Sequence, residues 1–274
     1  MKKSLKTLSL ILCVVMAVSL LGACGKKDSG SNVLRVGMEC AFAPHNWTQY
    51  EENEYSVKMP DGTFVDGYDV QIAKKVADKL GYELEVVKVD WDGMLPSLTS
   101  NKIDLIIAGM TDTEERRLSI DFADVYWSSH LYIVTMADGP YANATSLADF
   151  AGAKITAQLE TLHYDLIDMI PDVKKEMAMA DFPTMTVALT SGRIDGYIAE
   201  RPAAVSAQIS NPGITIIEFD EDKGFGEEMP VSIGLRKGED ELKEKINGVL
   251  ATISVADREK LMDQAVMRQP LQAE

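Results

Sequence analysis

Residues 103–117, IDLIIAGMTDTEERR, contain the residue types that can bind a small anion. Four apolar residues within IDLII, followed by an alanine and Gly109, predict a strand buried in a sheet, and the polar residues behind it predict the start of a helix. The first amides of a helix have no acceptor within the helix, and the helix dipole adds partial positive charge, so a carboxylate or phosphate can bind there. Arg116, one turn in, can add a two-pronged charge-assisted contact.

An ordinary surface helix would explain the same residues without a ligand. Thr111 and Thr113 have the side chains of helix caps, and Arg116 could pair with Glu114 or Asp112 in solvent. The segment alone does not distinguish a capped helix from an anion site.

A second turn of the same kind occurs later in the chain. Residues 154–158 predict a strand that turns into a helix at 159–162, and residues 193–199 predict a strand that ends at an acid, Glu200. Facing each other, the turns at 109–116 and 159–162 would hold one small anion between two lobes, and Glu200 would accept a cation. Together these groups predict a clamp for a zwitterion.

The first turn belongs to an alternation of strands and helices, which is typical of a parallel sheet with crossover connections. A strand at 34–38 is followed by Glu39 and Phe42, which we expect just past its carboxyl end, where open α/β sheets bind ligands. The polar segment 45–64 predicts a hairpin or flap on the rim. The rest of this unit is a helix that starts at residue 68 and ends at 81, a strand at 82–89 and a short helix at 94–98.

A second unit repeats this scheme after an aromatic turn and a long strand within residues 121–135. Residues 231–236 then predict a strand that returns to the first unit. The remaining elements are a short capped helix at 146–152, a helix at 181–191, a strand at 214–219, and amphipathic helices at 241–253 and 257–266 that can pack on the first lobe. We therefore expect an α/β protein of two lobes.

Three lysines, an apolar run and small residues before Cys24 give residues 1–23 the pattern of an export signal, which is left out of the fold. LGAC at 21–24 resembles the lipobox of bacterial lipoproteins, which implies cleavage before Cys24 and acylation of its thiol, with palmitate among the acyl groups. Two or more acyl chains give a stable membrane anchor. Residues 24–32 predict a flexible tether, so we expect the folded part on the outer face of the bacterial cytoplasmic membrane. The alternative is a plain secretory signal with a chance cysteine.

Composition limits the possible classes of function. The chain has 43 acidic and 27 Lys and Arg residues, a net charge of −16; residues 1–23 hold three Lys and no acid, so the remainder carries −16 − 3 = −19. So acidic a chain lacks the basic face that binds nucleic acid. Once residues 1–23 are removed and Cys24 is acylated, Cys40 is the one free thiol, so no internal disulfide can form.

We expect no cofactor and no metal. Dinucleotide and phosphate-loop motifs are absent from the sequence. His45, His130 and His163 lie far apart and lack the spacing of a metal site, so we expect them at the surface or the rim.

From residue 34 to residue 269 the chain resembles the substrate-binding proteins of polar amino-acid ABC importers, the bacterial solute-binding proteins of family 3. The resemblance rests on motifs in order: LRVG at 34–37 with Phe42 and Pro44, GYDV at 67–70, DWDG at 90–93, KID at 102–104, GMTDTEER at 109–116, DFAD at 121–124, GRID at 192–195 and IGLRKG at 233–238. It implies a type II periplasmic-binding fold, with two lobes that are each a mostly parallel sheet flanked by helices, joined by two hinge strands. The lobes would be residues 33–130 with 233–274, and residues 131–232. It also implies a monomer that closes on an L-amino acid and delivers it to a membrane permease with its ATPase subunits.

The resemblance assigns the shared part of the amino acid to residues of both lobes. It implies that Arg116 forks onto the α-carboxylate, that Thr111 adds a hydroxyl and an amide, and that the Gly109 carbonyl accepts from the α-ammonium. Glu200 stands where the family usually has an aspartate, so a carboxylate for the α-ammonium remains, on a longer arm.

The second turn departs from the family pattern. Thr161 matches the helix start, but Glu160 replaces the usual glycine and Leu162 replaces a small polar residue. Backbone amides can still hold the carboxylate, although a hydroxyl contact at residue 162 is lost. Gln158, and Met110 in the first lobe, are also expected to contact the ligand.

Three residues are expected to recognise the side chain of the substrate. The resemblance implies that Phe42 and Trp91 sandwich it and that Glu39 touches its far end. A buried acid facing a pocket is costly unless it is paired, so Glu39 favours Lys, Arg or His as substrate, with Gln next. The alternatives are that Glu39 is a surface acid satisfied by neighbouring amides and that the two aromatics are ordinary core residues.

Binding without chemistry is the leading interpretation, and two other classes compete with it. A few proteins of similar fold are dehydratases or peptidoglycan-cleaving lyases, and Glu39, His45 or Glu200 could act as the acid or base, although no nucleophile motif accompanies them. A surface sensor could use the same trap to signal to a partner, although we expect no attached signalling domain.

Overall fold

The computed structural model describes residues 32–220, 222–226 and 228–270. The expected export signal at 1–23, the acylated Cys24 and the tether up to residue 31 lie outside these residues. Among the helices that are described, none is long and apolar enough to cross a membrane.

The described chain alternates strands and helices. The strands are β1 (Val33–Met38), β2 (Ala41–Phe42), β3 (Asn46–Gln49), β4 (Val57–Lys58), β5 (Phe64–Asp66), β6 (Glu83–Lys88), β7 (Leu105–Ile106), β8 (Ile120–Ser129), β9 (Leu131–Met136), β10 (Lys154–Thr156), β11 (Lys174–Lys175), β12 (Gly196–Glu200), β13 (Ile214–Ile217) and β14 (Met229–Arg236). The α-helices are α1 (Tyr68–Leu80), α2 (Met94–Thr99), α3 (Glu114–Arg117), α4 (Leu162–Leu166), α5 (Phe182–Thr190), α6 (Arg201–Ser210), α7 (Asp240–Leu250) and α8 (Val255–Arg268). Short 3-10 helices occur at Trp91–Gly93, Leu147–Phe150 and Ile167–Met169.

The first sheet has the strand order β6-β1-β7-β14-β8. β1 and β7 run parallel, whereas β14 pairs antiparallel with both β7 and β8. Helix α1 buries Ile72, Ala73 and Val76 in the core of this sheet and ends at Gly81, which adopts the left-handed conformation that glycine reaches without steric penalty. The helix predicted from the apolar spacing is therefore confirmed.

The second sheet has the strand order β11-β10-β12-β9-β13. β10 runs parallel to β11 and β12, and β9 pairs antiparallel with β12 and β13. Along β12, Tyr197 and Ala199 pack into one apolar cluster and Ile198 into another, because successive side chains of a strand point to opposite faces. Both faces of this sheet are therefore buried, and the expected two-lobed α/β fold is confirmed, with mixed sheets in both lobes.

The chain passes between the sheets at two places. β8 of the first sheet ends at Ser129 and β9 of the second begins at Leu131, so the first passage is a single residue. The second passage leads from the end of β13 to β14, whose first residue, Met229, pairs with Ser129. β14 therefore joins the first sheet before residue 233, where the sequence places the boundary between lobes.

Several local elements differ from the sequence prediction. The helix after Gly109 is one turn, α3, and the helix after residue 161 is five residues long, α4. The sequence pattern does not predict α6, which has Pro202 in its first turn, where the missing amide of proline leaves no hydrogen bond unmade. In the rim segment, β3, β4 and β5 join β2 in a small antiparallel sheet instead of a single hairpin.

Candidate functional site

A cleft lies where several strands of the two sheets end. It is lined by Glu39, Phe42, Trp91, Ala108, Gly109, Thr111, Arg116, Gln158, Thr161, Leu162, His163, Phe182 and Glu200. Ten of the eleven ligand-binding residues predicted from the sequence are among them. The structure thus brings together residues that lie up to about 160 positions apart in the chain, because parallel strands present their carboxyl ends at one edge of a sheet.

Arg116 lies at the junction of the two lobes. Its Nη1 donates to the carbonyl of Thr111 at 2.7 Å, and its Nη2 donates to the carbonyl of Glu160, in the other lobe, at 3.0 Å. The guanidinium carbon is 5.3 Å from the centre of the Trp91 ring, a cation–π distance. Burial lowers the pKa of Arg116, but a guanidinium remains cationic in proteins. The cleft therefore contains a fixed positive charge.

Arg117, and not Arg116, makes the ion pair with Asp112 that the surface-helix interpretation expected. Arg117 donates to both carboxylate oxygens of Asp112. Thr113 caps α3 by accepting from the backbone amide of Arg116 at 3.2 Å, as the surface-helix interpretation expected. Because α3 has a single turn, the attraction for an anion comes from the guanidinium of Arg116 rather than from a helix dipole.

Buried hydrogen bonds hold the turn at Gly109 in place. Gly109 has φ 64°, and a Cβ added there would lie 2.8 Å from Cε1 of Phe42. Its amide donates to Oη of Tyr126 at 2.9 Å, and that hydroxyl donates to buried Asp69 at 2.9 Å. Asp69 also accepts from the Asn46 side chain at 2.8 Å. A glycine is required here because the backbone is left-handed and passes close to an aromatic ring.

Glu39 is 6% exposed and directs one carboxylate oxygen at the second lobe. Its Oε1 accepts from Nε2 of Gln158 at 2.7 Å, while its Oε2 is buried and has no hydrogen-bond partner among the described residues. Burial, reinforced by the negative charges of Asp181, Asp90 and Glu200, raises the pKa of Glu39 to about 8, although the bond from Gln158 opposes this rise. The alternative of a surface acid satisfied by amides is therefore wrong, and half of this carboxyl group is available to a ligand.

The aromatic residues contact one another as well as the cleft. Phe42 stacks on His45 and on Phe182, with ring centres 4.6 Å apart in both pairs. Much of the Phe42 ring is thus used in internal packing, as the core interpretation expected, although the ring also lines the cleft. Trp91 Nε1 donates to the carbonyl of Glu160 at 3.2 Å, which ties this ring to the other lobe. Phe182 was not predicted, since nothing in its local sequence distinguishes it from a core residue.

Glu200 is paired inside the cleft with a histidine. It is 5% exposed, and its Oε1 lies 3.2 Å from Nε2 of His163, while its Oε2 has no hydrogen-bond partner in the part of the chain that the structure describes. Burial opposes ionisation, but the charge of His163, its hydrogen bond and the charge of His45 hold the pKa of Glu200 below its usual value. Glu200 is therefore an ionised group with one oxygen available for a cation.

The expectation of surface or rim positions is wrong for two of the three histidines. His45 is 1% exposed and His163 is 6% exposed, whereas the His130 side chain is 40% exposed. His45 lies between the Phe42 ring and the edge of the Tyr68 ring, and Nδ1 is 3.5 Å from Asp69. Spacing within the sequence could not predict these positions, because the histidines meet their acids only through tertiary contacts.

The second turn presents backbone groups to the cleft. Thr161 precedes α4, but its hydroxyl donates back to the carbonyl of Gln158 at 2.7 Å instead of capping the helix. Glu160 has φ 56°, a left-handed conformation that the family pattern assigns to glycine, and its carbonyl accepts from both Arg116 and Trp91. Leu162 adds an apolar wall.

Met110 is the predicted residue that does not line the cleft. It is 1% exposed and belongs to the apolar cluster of Ile103, Ile106 and Phe122. Its carbonyl accepts from the amide of Ser232 at 3.0 Å, which joins the first turn to β14. Within the described ranges, no group of three or more His, Cys, Asp and Glu side chains is arranged to hold a metal ion.

Comparison with known proteins gives a family with which this geometry agrees. The family model for bacterial extracellular solute-binding proteins, family 3, matches residues 34–264. The arginine-binding extracellular protein ArtP of Bacillus subtilis is 30% identical over 244 residues, which cover 87% of this chain and 88% of that protein. A probable histidine-binding protein of Campylobacter jejuni is 28% identical over 193 residues, covering 70% of each.

Solved structures show the same fold. The amino acid ABC transporter substrate-binding protein AbpA of Streptococcus pneumoniae, bound to L-arginine, has a TM-score of 0.74 and 25% identity, covering 86% of this chain and 95% of that chain. An ancestral arginine-binding protein bound to glutamine has a TM-score of 0.69 and 32% identity, covering 85% and 97%. All four of these proteins are described as binding proteins, not enzymes.

Proposed function

The chain belongs to the bacterial extracellular solute-binding proteins of family 3, and from this membership we propose that it captures a cationic L-amino acid for an ABC importer. It is a binding protein of amino-acid transport and not an enzyme. Glu39, His45 and Glu200 therefore have no role as a catalytic acid or base.

The observation that carries the proposal is the placement of Arg116, Glu200 and Glu39 on one cleft between two lobes. A guanidinium can receive the α-carboxylate in a forked pair. The unpaired oxygen of Glu200 and the carbonyl of Gly109 can receive the α-ammonium. The clamp is completed in this proposal by the side chains of Thr111 and Gln158 and by the backbone of Thr161 and Leu162.

The preference for a cationic side chain rests on Glu39. Its Oε2 is buried and has no partner in the described ranges. Leaving a polar oxygen unpaired in a buried site costs free energy that a cation on the ligand would recover. Arginine, lysine and histidine all present such a donor with a positive charge. Glutamine, a neutral donor, is the alternative. Binding proteins for arginine and histidine among the relatives agree with the first choice.

The contacts are sufficient for ordinary affinity without any chemical step. A few hydrogen bonds to charged groups contribute about 1.5–3 kcal/mol each. Ordering the ligand and closing the lobes cost free energy, which must be subtracted from the sum of these hydrogen bonds. The remainder fits a micromolar Kd, which corresponds to about 8 kcal/mol.

We further propose a membrane-anchored position for the protein. The family acts on the extracytoplasmic side, and the LGAC motif at 21–24 supports a lipid anchor at Cys24 on the outer face of the cytoplasmic membrane. In this proposal the monomer delivers its amino acid to a permease and its ATPase subunits. Its first lobe consists of residues 33–130 and the chain from the start of β14 onward. Its second lobe is the segment between these two parts.

Calorimetric titration of the full chain in detergent against the twenty common amino acids tests the proposal. We expect saturable binding of arginine, lysine or histidine at micromolar Kd, and weaker or no binding of acidic and apolar amino acids. Saturable binding of glutamate or leucine above any cationic amino acid would reject the proposed substrate class. No binding of any amino acid would reject the proposed function as a whole.

A further inference from the structure

A second hollow shares two lining residues, Glu39 and Trp91, with the cleft that contains Arg116. Four of its nine lining residues are acids, namely Glu39, Asp90, Asp92 and Asp181. Glu39 and Trp91 line both hollows, whereas Arg116 and Glu200 line the first alone. The two side chains therefore form the wall through which the ligand cleft meets the acidic hollow.

Glu39 supplies an observation independent of this acidic cluster. It is 6% exposed, and within residues 32–220, 222–226 and 228–270 its Oε2 has no hydrogen-bond partner. Its Oε1 accepts from Gln158, so Oε2 is the polar atom that this buried carboxyl offers to a ligand. A buried polar atom without a partner among the described residues indicates that a ligand group pairs with it.

We propose that the acidic hollow receives the head group of a long cationic side chain, which passes between Glu39 and Trp91 from the cleft. This inference rests on the proposed function and specifies the substrate class as arginine, lysine and longer homologues rather than histidine. The ligand side chain extends past Glu39, with its methylenes against Trp91 and its positive charge among the three aspartates.

The charges around Glu39 explain why a cation is preferred. Asp90 and Asp92 follow the end of β6, and Asp181 precedes α5, so they face Glu39 from both lobes. Lys88 is the cation that lines the same hollow, and it leaves an excess of negative charge. On the cleft side Arg116 and His163 face Glu200 and the ligand position. The electrostatic gradient therefore runs from the guanidinium of Arg116 towards the aspartates, as a lysine or arginine ligand requires.

Binding of such a ligand displaces a proton from the site. Burial raises the pKa of Glu39 to about 8, so its carboxyl carries a proton at pH 7. A guanidinium or ammonium beside Oε2 favours the carboxylate, and the proton passes to the buffer. A neutral group such as the glutamine side-chain amide, whose carbonyl oxygen can accept from the protonated carboxyl, leaves the proton in place. Proton release upon binding therefore distinguishes a cation at Glu39 from a neutral group.

The length of the ligand tests whether the head group passes Glu39. Titrations of the full chain would compare ornithine, lysine, arginine and homoarginine. If the side chain ended at Glu39, one added methylene would reduce affinity by about tenfold or more. We expect homoarginine to bind within about threefold of arginine, because the hollow beyond Glu39 accommodates the extra methylene.

Charge in the hollow and proton release provide two further measurements. Asp181→Asn keeps the cap that Asp181 gives Thr184, since asparagine is an equally good cap, but removes one charge. We expect it to weaken arginine binding about three- to tenfold, whereas the matched control Glu259→Gln, at an exposed acid of α8 outside both hollows, should have no effect. Calorimetry at pH 7 in two buffers of different ionisation enthalpy should show release of about one proton per arginine.

The outcomes separate this inference from the proposed function. The acidic subsite would be overturned, and the binding function retained, by three results together with arginine binding. These are exclusion of homoarginine, no proton release, and equal effects of Asp181→Asn and Glu259→Gln. Absence of binding by every amino acid would reject the function itself.

Discussion

The side-chain amide of Gln158 donates to Oε1 of Glu39 across the cleft, at 2.7 Å. The two residues are 119 positions apart and belong to different sheets. The same amide nitrogen also donates to the carbonyl of Ala180 at 3.0 Å, which fixes its orientation. A polar contact between the lobes therefore depends on an acid that is costly to ionise, and this couples the strength of the contact to pH.

Replacement of Glu39 by glutamine should stabilise the fold in alkali. A carboxyl whose pKa is raised on folding binds its proton more tightly in the folded state, so its contribution is complete below the ordinary value of 4.5 and is lost as pH rises to about 8. The free energy of unfolding of the natural chain should thus fall over this range, by about 2–5 kcal/mol from this group. Glu39→Gln, which keeps an acceptor for Gln158, should remove that part of the fall. Thermal unfolding at pH 5 and pH 8.5 measures it, and parallel pH profiles of the two chains would contradict it.

Arg116→Ala should reduce the affinity for the amino acid by about 2–5 kcal/mol, because the α-carboxylate loses its buried positive partner. Arg116→Lys retains the charge but not the planar fork, so its loss should be intermediate. The neighbouring Arg117→Ala is the matched control, since Arg117 pairs with Asp112 outside the cleft. Calorimetric titration with the cognate amino acid gives all three values. Equal affinities for Arg116→Ala and Arg117→Ala would remove Arg116 from the clamp.

His163→Ala should destabilise the protein near neutral pH by about 3–5 kcal/mol, because it leaves Glu200 as a buried carboxylate without its partner. The lowered pKa of Glu200 contributes stability above its ordinary value, and that contribution is lost as pH falls through the folded value. The difference between variant and natural chain should therefore shrink in acid. His163→Gln, whose amide can reach the position of Nε2, should recover part of the loss. A difference that stays constant from pH 7 to pH 3 in thermal unfolding would contradict this account.

Gly109→Ala should lower stability and ligand affinity together. The left-handed backbone at φ 64° costs alanine about 1 kcal/mol, and the new Cβ would lie 2.8 Å from the Phe42 ring in the wall of the cleft. Gly192→Ala is a control with φ 73° and no atom within 4 Å of the added Cβ. The excess loss for Gly109→Ala in chemical denaturation and titration reports the contact with Phe42. Identical losses would show that this contact does not matter.

Glu160→Gly should be neutral or stabilising by up to about 1 kcal/mol, because it relieves a left-handed conformation that is unfavourable for a residue with a Cβ. Glu160→Ala removes the carboxylate but keeps the strained backbone, so it should be less stable than Glu160→Gly. Both variants keep the carbonyl that accepts from Arg116 and Trp91. Chemical denaturation of the pair provides the comparison, and a lower stability of the glycine variant would argue against strain.

Sequence patterns sufficed for the elements with strong periodicity or clear end signals. The apolar spacing of α1, the proline and glycine signals and the ordered motifs led to the two-lobed fold and to ten of the thirteen residues that line the cleft. The patterns did not predict the lengths of elements whose ends are set by tertiary contacts. β7 has two residues and α3 has four, because tertiary pairing and packing, not local propensity, end these elements.

By itself, the sequence determined the residue types of the clamp and the strand ends on which they lie, because period and turn chemistry are local properties of the chain. Only the tertiary structure decided which of these groups are paired and which are free. Glu200 is paired with His163, Phe42 is packed between His45 and Phe182, and Met110 is buried away from the cleft. Within the described part of the chain, Glu39 keeps one oxygen without a partner. Burial and the approach of residues from the other lobe set these states, and neither is a function of distance along the chain.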